Sequence, residues 1–119
     1  MVTRLPCPYL QGEVELSAER IVHINNQHPE LPGNDPDMIA RTLLDPDEVR
    51  TDRRFPRTQL FSRWLDDLLH GKILVVAVVT DDVVADDPDP TVEGPLRHWV
   101  VTAYPTRRVT QGDIQWQRP

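Results

Sequence analysis

The stretch that most constrains the fold is residues 73–80, with the sequence ILVVAVVT. These residues are apolar and β-branched almost throughout, and the run has the length of a strand. The stretch therefore predicts a strand in the centre of a sheet.

A second stretch, residues 97–108 (RHWVVTAYPTRR), alternates in the way of a half-buried strand. We expect it to pair antiparallel with residues 73–80. Simple alternation gives two sets of side chains that face opposite ways: His98, Val100, Thr102 and Tyr104 on one side, and Trp99, Val101 and Ala103 on the other. Alternation does not decide which side packs on the core. Thr106, Arg107 and Arg108 follow at the end of the strand, where they are suited to meet a phosphate.

The charge of the chain is unevenly distributed. The formal net charge is −6, but residues 81–95 (DDVVADDPDPTVEGP) hold six acids and no base, and the other thirteen acids balance the thirteen bases. We expect this proline-rich stretch to be a long, poorly ordered loop, because little of it can be buried. The bases form two runs around it: Arg50, Arg53, Arg54, Arg57 and Arg63 before it, and Arg97, Arg107 and Arg108 after it.

The size of the chain indicates one core. With 119 residues, 39% of them apolar, residues 1–119 are expected to form a single domain. No apolar run is long enough to span a membrane and the first ten residues lack a signal pattern, so we expect a cytoplasmic protein. Cys7 is the single cysteine, which excludes an internal disulfide and a multi-thiolate metal site.

Two helices are predicted in the first part of the chain. Ser17 is a good N-cap for the first helix, apolar residues recur at helical spacing after it, and Pro29 stops it. Asp35 and the proline after it form a cap and first-position pair for a second helix, which ends near Leu44.

His23 and His28 both belong to the first helix, but they point in nearly opposite directions at about 100° per residue. A spacing of five residues does not place both side chains on one metal ion. We therefore expect no zinc site here, and no cofactor.

The other strands have weaker patterns. Residues 1–11 are predicted to be irregular, and residues 12–16 are either an edge strand or a lead-in to the first helix. Residues 48–54 contain one apolar side chain and are predicted to be a short strand at an edge of the sheet. Residues 113–117 (DIQWQ) are predicted to be the last strand.

Residues 59–71 allow two interpretations. Their apolar residues recur at the spacing of an amphipathic helix that is capped at Thr58 and ended by Gly71. The alternative is a strand over residues 59–64 followed by a connection.

Five segments, in this order along the chain, resemble one family of nucleases: ERIVHINNQHPEL, LLDPDEV, LFSRW, an apolar strand that opens with Lys72, and WVVTAYPTRR. The family is that of the PBECR domains, the phage-type members of the barnase, EndoU, colicin and RelE-like superfamily. The resemblance spans nearly the whole chain. It implies an α+β domain with two N-terminal helices packed on a twisted antiparallel sheet of about four strands, and it favours the strand over residues 59–64.

The same resemblance implies metal-independent cleavage of RNA by 2′-hydroxyl transphosphorylation. Such cleavage needs a base, an acid and cations around the phosphate. Carried over by position, the catalytic residues fall on His23 or His28, Arg63 and Thr102. The substrate-binding residues fall on Tyr104, Thr106, Arg107 and His98.

The partners implied are an RNA, such as tRNA or mRNA, and a cognate inhibitor protein, with no membrane. The family often has a basic residue where this chain has Gln27, and the acidic stretch is a poor neighbour for RNA. The alternative function is therefore a non-catalytic interaction domain on the same fold, which binds a basic protein or mimics a nucleic acid.

Overall fold

The structure, a computed structural model, describes residues 2–31, 36–81 and 97–119. Two α-helices and seven strands lie in this part of the chain, together with a 3-10 turn at Pro8–Leu10. In chain order they are β1 (Val2–Cys7), β2 (Gly12–Ser17), α1 (Ala18–Gln27), α2 (Asp37–Leu44), β3 (Glu48–Thr51), β4 (Thr58–Leu65), β5 (Lys72–Asp81), β6 (Arg97–Thr106) and β7 (Asp113–Gln117).

The seven strands form one sheet in the order β1-β2-β6-β5-β4-β3-β7. Every neighbouring pair is antiparallel except β2 and β6, which run parallel and meet at Glu15 and Trp99. The predicted four-stranded antiparallel sheet is therefore wrong. Strands β3 to β6 form an antiparallel meander, but the β1-β2 hairpin extends the sheet at β6 and β7 extends it at β3.

The physical reason for the error is the weak pattern of the added strands. Of the six residues of β1, only Leu5 and Cys7 are buried, so the predicted irregular opening carries no run of apolar residues. Pro6 is consistent with an edge strand, where a missing N–H is tolerated. Strand β3, predicted at an edge, is covered by β7.

Strand β5 is the centre of the sheet, as the sequence predicts. It pairs with β4 on one side and β6 on the other, and residues 74–78 are buried. Because successive side chains of a strand point to opposite faces, a run buried on both faces must be apolar at every position.

The two faces of the sheet are covered differently. The face that we call the helix face packs on α1 and α2. Its core residues on β4, β5 and β6 are Phe61, Leu65, Leu74, Val76, Val78, Val100 and Ala103. On the other face, which we call the open face, a smaller cluster of Leu60, Val75 and Ala77 is covered by Val109 from the connection between β6 and β7. This connection must cross the sheet because β6 and β7 are not neighbours.

Helix α1 begins as predicted. The Ser17 side chain accepts a hydrogen bond from the backbone N–H of Arg20 at 3.1 Å, and the helix ends at His28 before Pro29. Helix α2 begins at Asp37, with Pro36 as the preceding residue. The predicted cap, Asp35, lies outside the described residues.

Residues 58–65 form a strand, so the helical interpretation of residues 59–71 is wrong. Two side chains break the alternation expected of this strand: Ser62 is polar but buried, and Trp64 is large but half exposed. Trp64 lies against Gly71, where an added Cβ would come within 2.6 Å of the indole ring. Gly71 also has a φ of 100°, so the turn before β5 requires glycine at this position.

The predicted acidic loop lies outside the described residues, except for Asp81, which is the last residue of β5. Neither described helix is long and apolar enough to cross a membrane.

Candidate functional site

A β-bulge in β6 decides which side chains share a face. The register with β5 shifts so that Val100 lies opposite Val78 while Thr102 lies opposite Ala77, which leaves Val101 as an extra residue. His98 and Val100 therefore lie on the helix face, and Thr102 and Tyr104 lie on the open face. The prediction that these four side chains share one face is wrong, because simple alternation assumes an unbroken ladder.

His28 and Tyr104 come together at the edge of the open face. Helix α1 packs beside β6, and the ring centroids of the two residues are 6.1 Å apart, with 35° between the ring planes. The backbone N–H of His28 donates to the Ile24 carbonyl at 2.8 Å, so the helix end fixes the position of the histidine. The His28 side chain is 29% exposed, which leaves the imidazole accessible to a ligand.

Each of these two rings has a carboxylate near it. The Nδ1 atom of His28 lies 3.2 Å from Oε1 of Glu30. The pKa of Glu30 is lowered, first by its own backbone N–H and also by His28. Burial, and to a lesser extent the Asp52 carboxylate, raise the pKa of Tyr104, so its phenol is protonated at neutral pH. Glu30 stands in the HPEL motif, but the sequence assigned it no role, and nothing in the sequence pointed to Asp52.

Two arginines follow the end of β6, three and four residues after Tyr104. The Thr106 hydroxyl donates to the Arg108 carbonyl at 3.0 Å and accepts from the Arg108 N–H at 3.3 Å, which closes a turn after the strand. Arg107 and Arg108 are exposed, and neither forms an ion pair with another described residue. Thr102, Tyr104 and Thr106 alternate with inward residues, so they line up on the open face.

Arg63 lies away from this group, on the helix face. Its guanidinium Nη1 is 2.6 Å from the Asp45 carbonyl oxygen and 2.9 Å from Oδ2 of Asp45. Arg118 binds the same residue, with Nη2 at 2.7 Å from Oδ1 of Asp45. Asp47 completes the cluster by accepting the Trp64 backbone N–H at 2.8 Å. The LLDPDEV motif thus has a local structural role, since its two aspartates join α2, β4 and the end of β7.

Replacing Arg63 by alanine is expected to lower the melting temperature by about 3–6 °C at neutral pH, because the turn loses its main-chain and carboxylate contacts. The pKa of Asp45 is lowered, first by Arg118 and then by Arg63. A carboxylate whose pKa is lower in the folded chain than in the unfolded chain stabilises the fold at pH values above its unfolded pKa. This stabilisation is lost as the pH falls through its folded pKa. The difference from the wild type should therefore shrink in acid.

Thermal unfolding by circular dichroism at several pH values measures this effect. Arg54→Ala is the control, because Arg54 is exposed and its side chain has no ion pair within the described residues. An equal small change for both variants would contradict a structural role for Arg63.

The two other predicted histidines occupy different surroundings. His98 is buried at 7% exposure on the helix face, with its Nδ1 atom 2.7 Å from Oγ1 of Thr80. Burial lowers the pKa of His98, which favours the neutral ring. His23 is exposed on α1. The structure therefore brings His28 and Tyr104 together, with Thr102 on the same face, and separates them from Arg63 and His98.

The two basic runs are largely neutralised by internal carboxylates. The ion pairs within them are Arg50 with Glu48, Arg53 with Asp113, Arg57 with Asp81, Arg63 with Asp45 and Arg97 with Glu15. The first run therefore does not form the basic surface that its sequence indicates. Within the two runs, the exposed arginines without such a partner in the described chain are Arg54, Arg107 and Arg108.

Comparison of the chain with protein-family models, with curated proteins and with solved structures gave no match.

Proposed function

We propose that this protein is a metal-independent ribonuclease, with His28 and Tyr104 as its proton-transfer pair. The observation that carries the proposal is the 6.1 Å distance between the two ring centroids. An imidazole and a protonated phenol at this spacing can act on the two oxygens of one phosphodiester, given that a proton-transfer group must lie within hydrogen-bond reach of its substrate atom.

Each group has a defined role in the proposed reaction. His28 takes the proton of the ribose 2′-hydroxyl, and the 2′-oxygen forms a bond to the adjacent phosphorus. The bond from phosphorus to the 5′-oxygen breaks, and Tyr104 gives its proton to that oxygen. The products are a 2′,3′-cyclic phosphate and a free 5′-hydroxyl, with the lost phenol proton restored from His28 through solvent.

The surroundings support these roles. Glu30 lies 3.2 Å from Nδ1 of His28, so its carboxylate orients the imidazole ring. Arg107 and Arg108 follow the Thr106 turn, where their charges can stabilise the phosphorus oxygens. Arg63 has no part in this mechanism, because it lies on the helix face and is held by Asp45. Under this proposal the protein acts in the cytoplasm on RNA and is restrained there by an inhibitor protein.

The direct test is incubation of the purified protein with a labelled RNA in EDTA. We expect fragments that end in a 2′,3′-cyclic phosphate, because water takes no part in the first step. Analysis of fragment ends by mass spectrometry identifies this product. Intact RNA after prolonged incubation at micromolar protein, with both structured and single-stranded substrates, would rule out the enzyme.

A second function is favoured by the ion pairs of the basic runs. Since most of those arginines are bound to carboxylates of the same chain and the net charge is −6, the surface suits a basic protein better than it suits RNA. In that case the chain is a non-catalytic interaction domain. Intact RNA, together with salt-sensitive binding to a polylysine probe, would favour this function over the nuclease.

A further inference from the structure

The helix face ends in a groove with a polar floor. On each of four adjacent strands, a buried apolar residue and a polar residue lie next to each other on the same face, two positions apart in the chain. The pairs are Val49 and Thr51 on β3, Phe61 and Gln59 on β4, Val78 and Thr80 on β5, and Val100 and His98 on β6. The four polar side chains line an open groove of about 470 Å³, which lies beyond the apolar core.

The floor of this groove has hydrogen-bonding capacity that the described residues use only in part. Within the described residues, the side-chain hydrogen bond on the floor is the one between Thr80 and His98, at 2.7 Å. Gln59 and Thr51 are half-buried, and no fully buried side-chain N or O atom of the described residues lacks a partner. Their free donors and acceptors therefore face solvent, where water or a ligand can bind them. The volume lies in the range of small-molecule sites.

The walls of the groove provide an aromatic ring and one cation. Tyr9 is fixed from behind by Phe61, at 5.7 Å between ring centroids, and by Trp116, at 6.2 Å. The ring is still 36% exposed and lines the groove. Arg57 stands at the rim, where its Nη1 atom is 2.8 Å from Oδ1 of Asp81, and its side chain is 69% exposed.

We propose that this groove binds one nucleotide, with its base on the floor against Tyr9 and its phosphate at Arg57. An amide, two hydroxyls and an imidazole suit the donor and acceptor edge of a base, for which glutamine is a recurrent partner. A base stacks on an aromatic side chain whatever its identity. Arg57 suits a phosphate because an exposed ion pair with Asp81 exchanges readily for a charge-assisted bond to the ligand.

The charge of the floor agrees with this ligand. Burial lowers the pKa of His98, so the floor is uncharged near neutral pH. Among the described residues that line the groove, Arg57 is the charged one, so a neutral floor with this cation at the rim fits a molecule whose charge is confined to one end. The groove lies on the helix face, whereas the Tyr104 side chain lies on the open face, and His28 does not line the groove. Nucleotide binding in the groove does not depend on RNA cleavage.

The test is a titration of the full chain with AMP, GMP, CMP and UMP, followed through the NMR signals of the His98 ring. Adenosine and inorganic phosphate are titrated in parallel. We expect at least one nucleotide to shift the His98 signals with a dissociation constant of about 1 mM or below, and to bind more tightly than its nucleoside. A short oligonucleotide distinguishes a free nucleotide from one nucleotide of a longer strand.

Three variants locate the ligand. Gln59→Leu and Tyr9→Leu should each weaken binding about tenfold, and Arg57→Ala should abolish the advantage of the nucleotide over the nucleoside. Gln115→Leu, an exposed glutamine of β7 outside the groove, is the matched control. Melting temperatures show whether each variant is folded. Gln59→Leu changes the floor and Tyr9→Leu changes the wall, so one of them still reports on binding if the other does not fold.

The proposal is overturned if no nucleotide shifts the His98 signals at about 10 mM, or if the shifts persist unchanged in all three groove variants. Binding is also measured in the His28→Ala variant. The experiment measures binding and not cleavage. Nucleotide binding in the groove can therefore be confirmed even if RNA is not cleaved, and RNA cleavage can be confirmed even if the groove binds no nucleotide.

Discussion

Replacement of His28 by alanine is expected to reduce RNA cleavage about a hundredfold or more, because a positioned general base contributes rate factors of this size. The change should leave the fold intact, since His28 is partly exposed and its backbone N–H, which binds the Ile24 carbonyl, is retained. Initial rates on a fluorescent RNA substrate and melting curves of the same samples measure both properties.

Helix α1 supplies the matched control. His23→Ala removes an exposed imidazole from the same helix, and we expect its cleavage rate to equal that of the wild type. If His23→Ala lost activity and His28→Ala kept it, the base would be assigned to the wrong histidine. If both variants kept full activity, the site would lie elsewhere.

Tyr104→Phe tests the proposed acid by removing one oxygen and keeping the ring beside His28. Cleavage should fall about tenfold to a hundredfold. Because burial and Asp52 raise the pKa of Tyr104, its proton is lost only above the ordinary pKa of tyrosine. On the alkaline side, the wild-type rate should therefore hold until strong alkali removes the phenol proton, and this decline should be absent from the variant.

The elements that the sequence predicted well are those whose signal is local. Residues 73–80 and 113–117 lie in strands as expected, and Ser17 caps α1 through its own side chain. Strand β4 is different, because its apolar residues fit a helix equally well. Only pairing with β3 and β5 explains why Ser62 is buried, since its hydroxyl reaches the Glu48 carbonyl at 3.4 Å.

The features that the sequence did not predict depend on contacts between distant residues. The bulge at Val101 arises from the pairing of β6 with β5, and it moves Thr102 and Tyr104 to the face opposite His98. Arg63 looked available for a phosphate because its partner, Asp45, lies 18 residues away. Residue type alone indicated His28 and Tyr104 as candidates, while the division of the candidates between two faces required the register of the sheet.

Phe61→Ala is expected to have the largest effect on stability. Phe61 is fully buried on the helix face of β4, and its ring contacts the Tyr9 ring edge to face. Loss of a buried phenylalanine removes its transfer free energy and leaves a cavity, at a cost of about 3–5 kcal/mol. In a domain of this size the melting temperature should fall by about 10–20 °C.

The chain offers the same substitution at an exposed position. Phe55 is 60% exposed in the connection before β4, so Phe55→Ala should shift the melting temperature by about 2 °C or less. Thermal unfolding of both variants, with urea unfolding to check that the slope is unchanged, compares one chemical change in two environments. Similar shifts in the two variants would show that the core is not centred on Phe61. Phe61→Ala should also weaken nucleotide binding in the groove, because Tyr9 loses the ring that holds it in place, whereas Phe55→Ala should not.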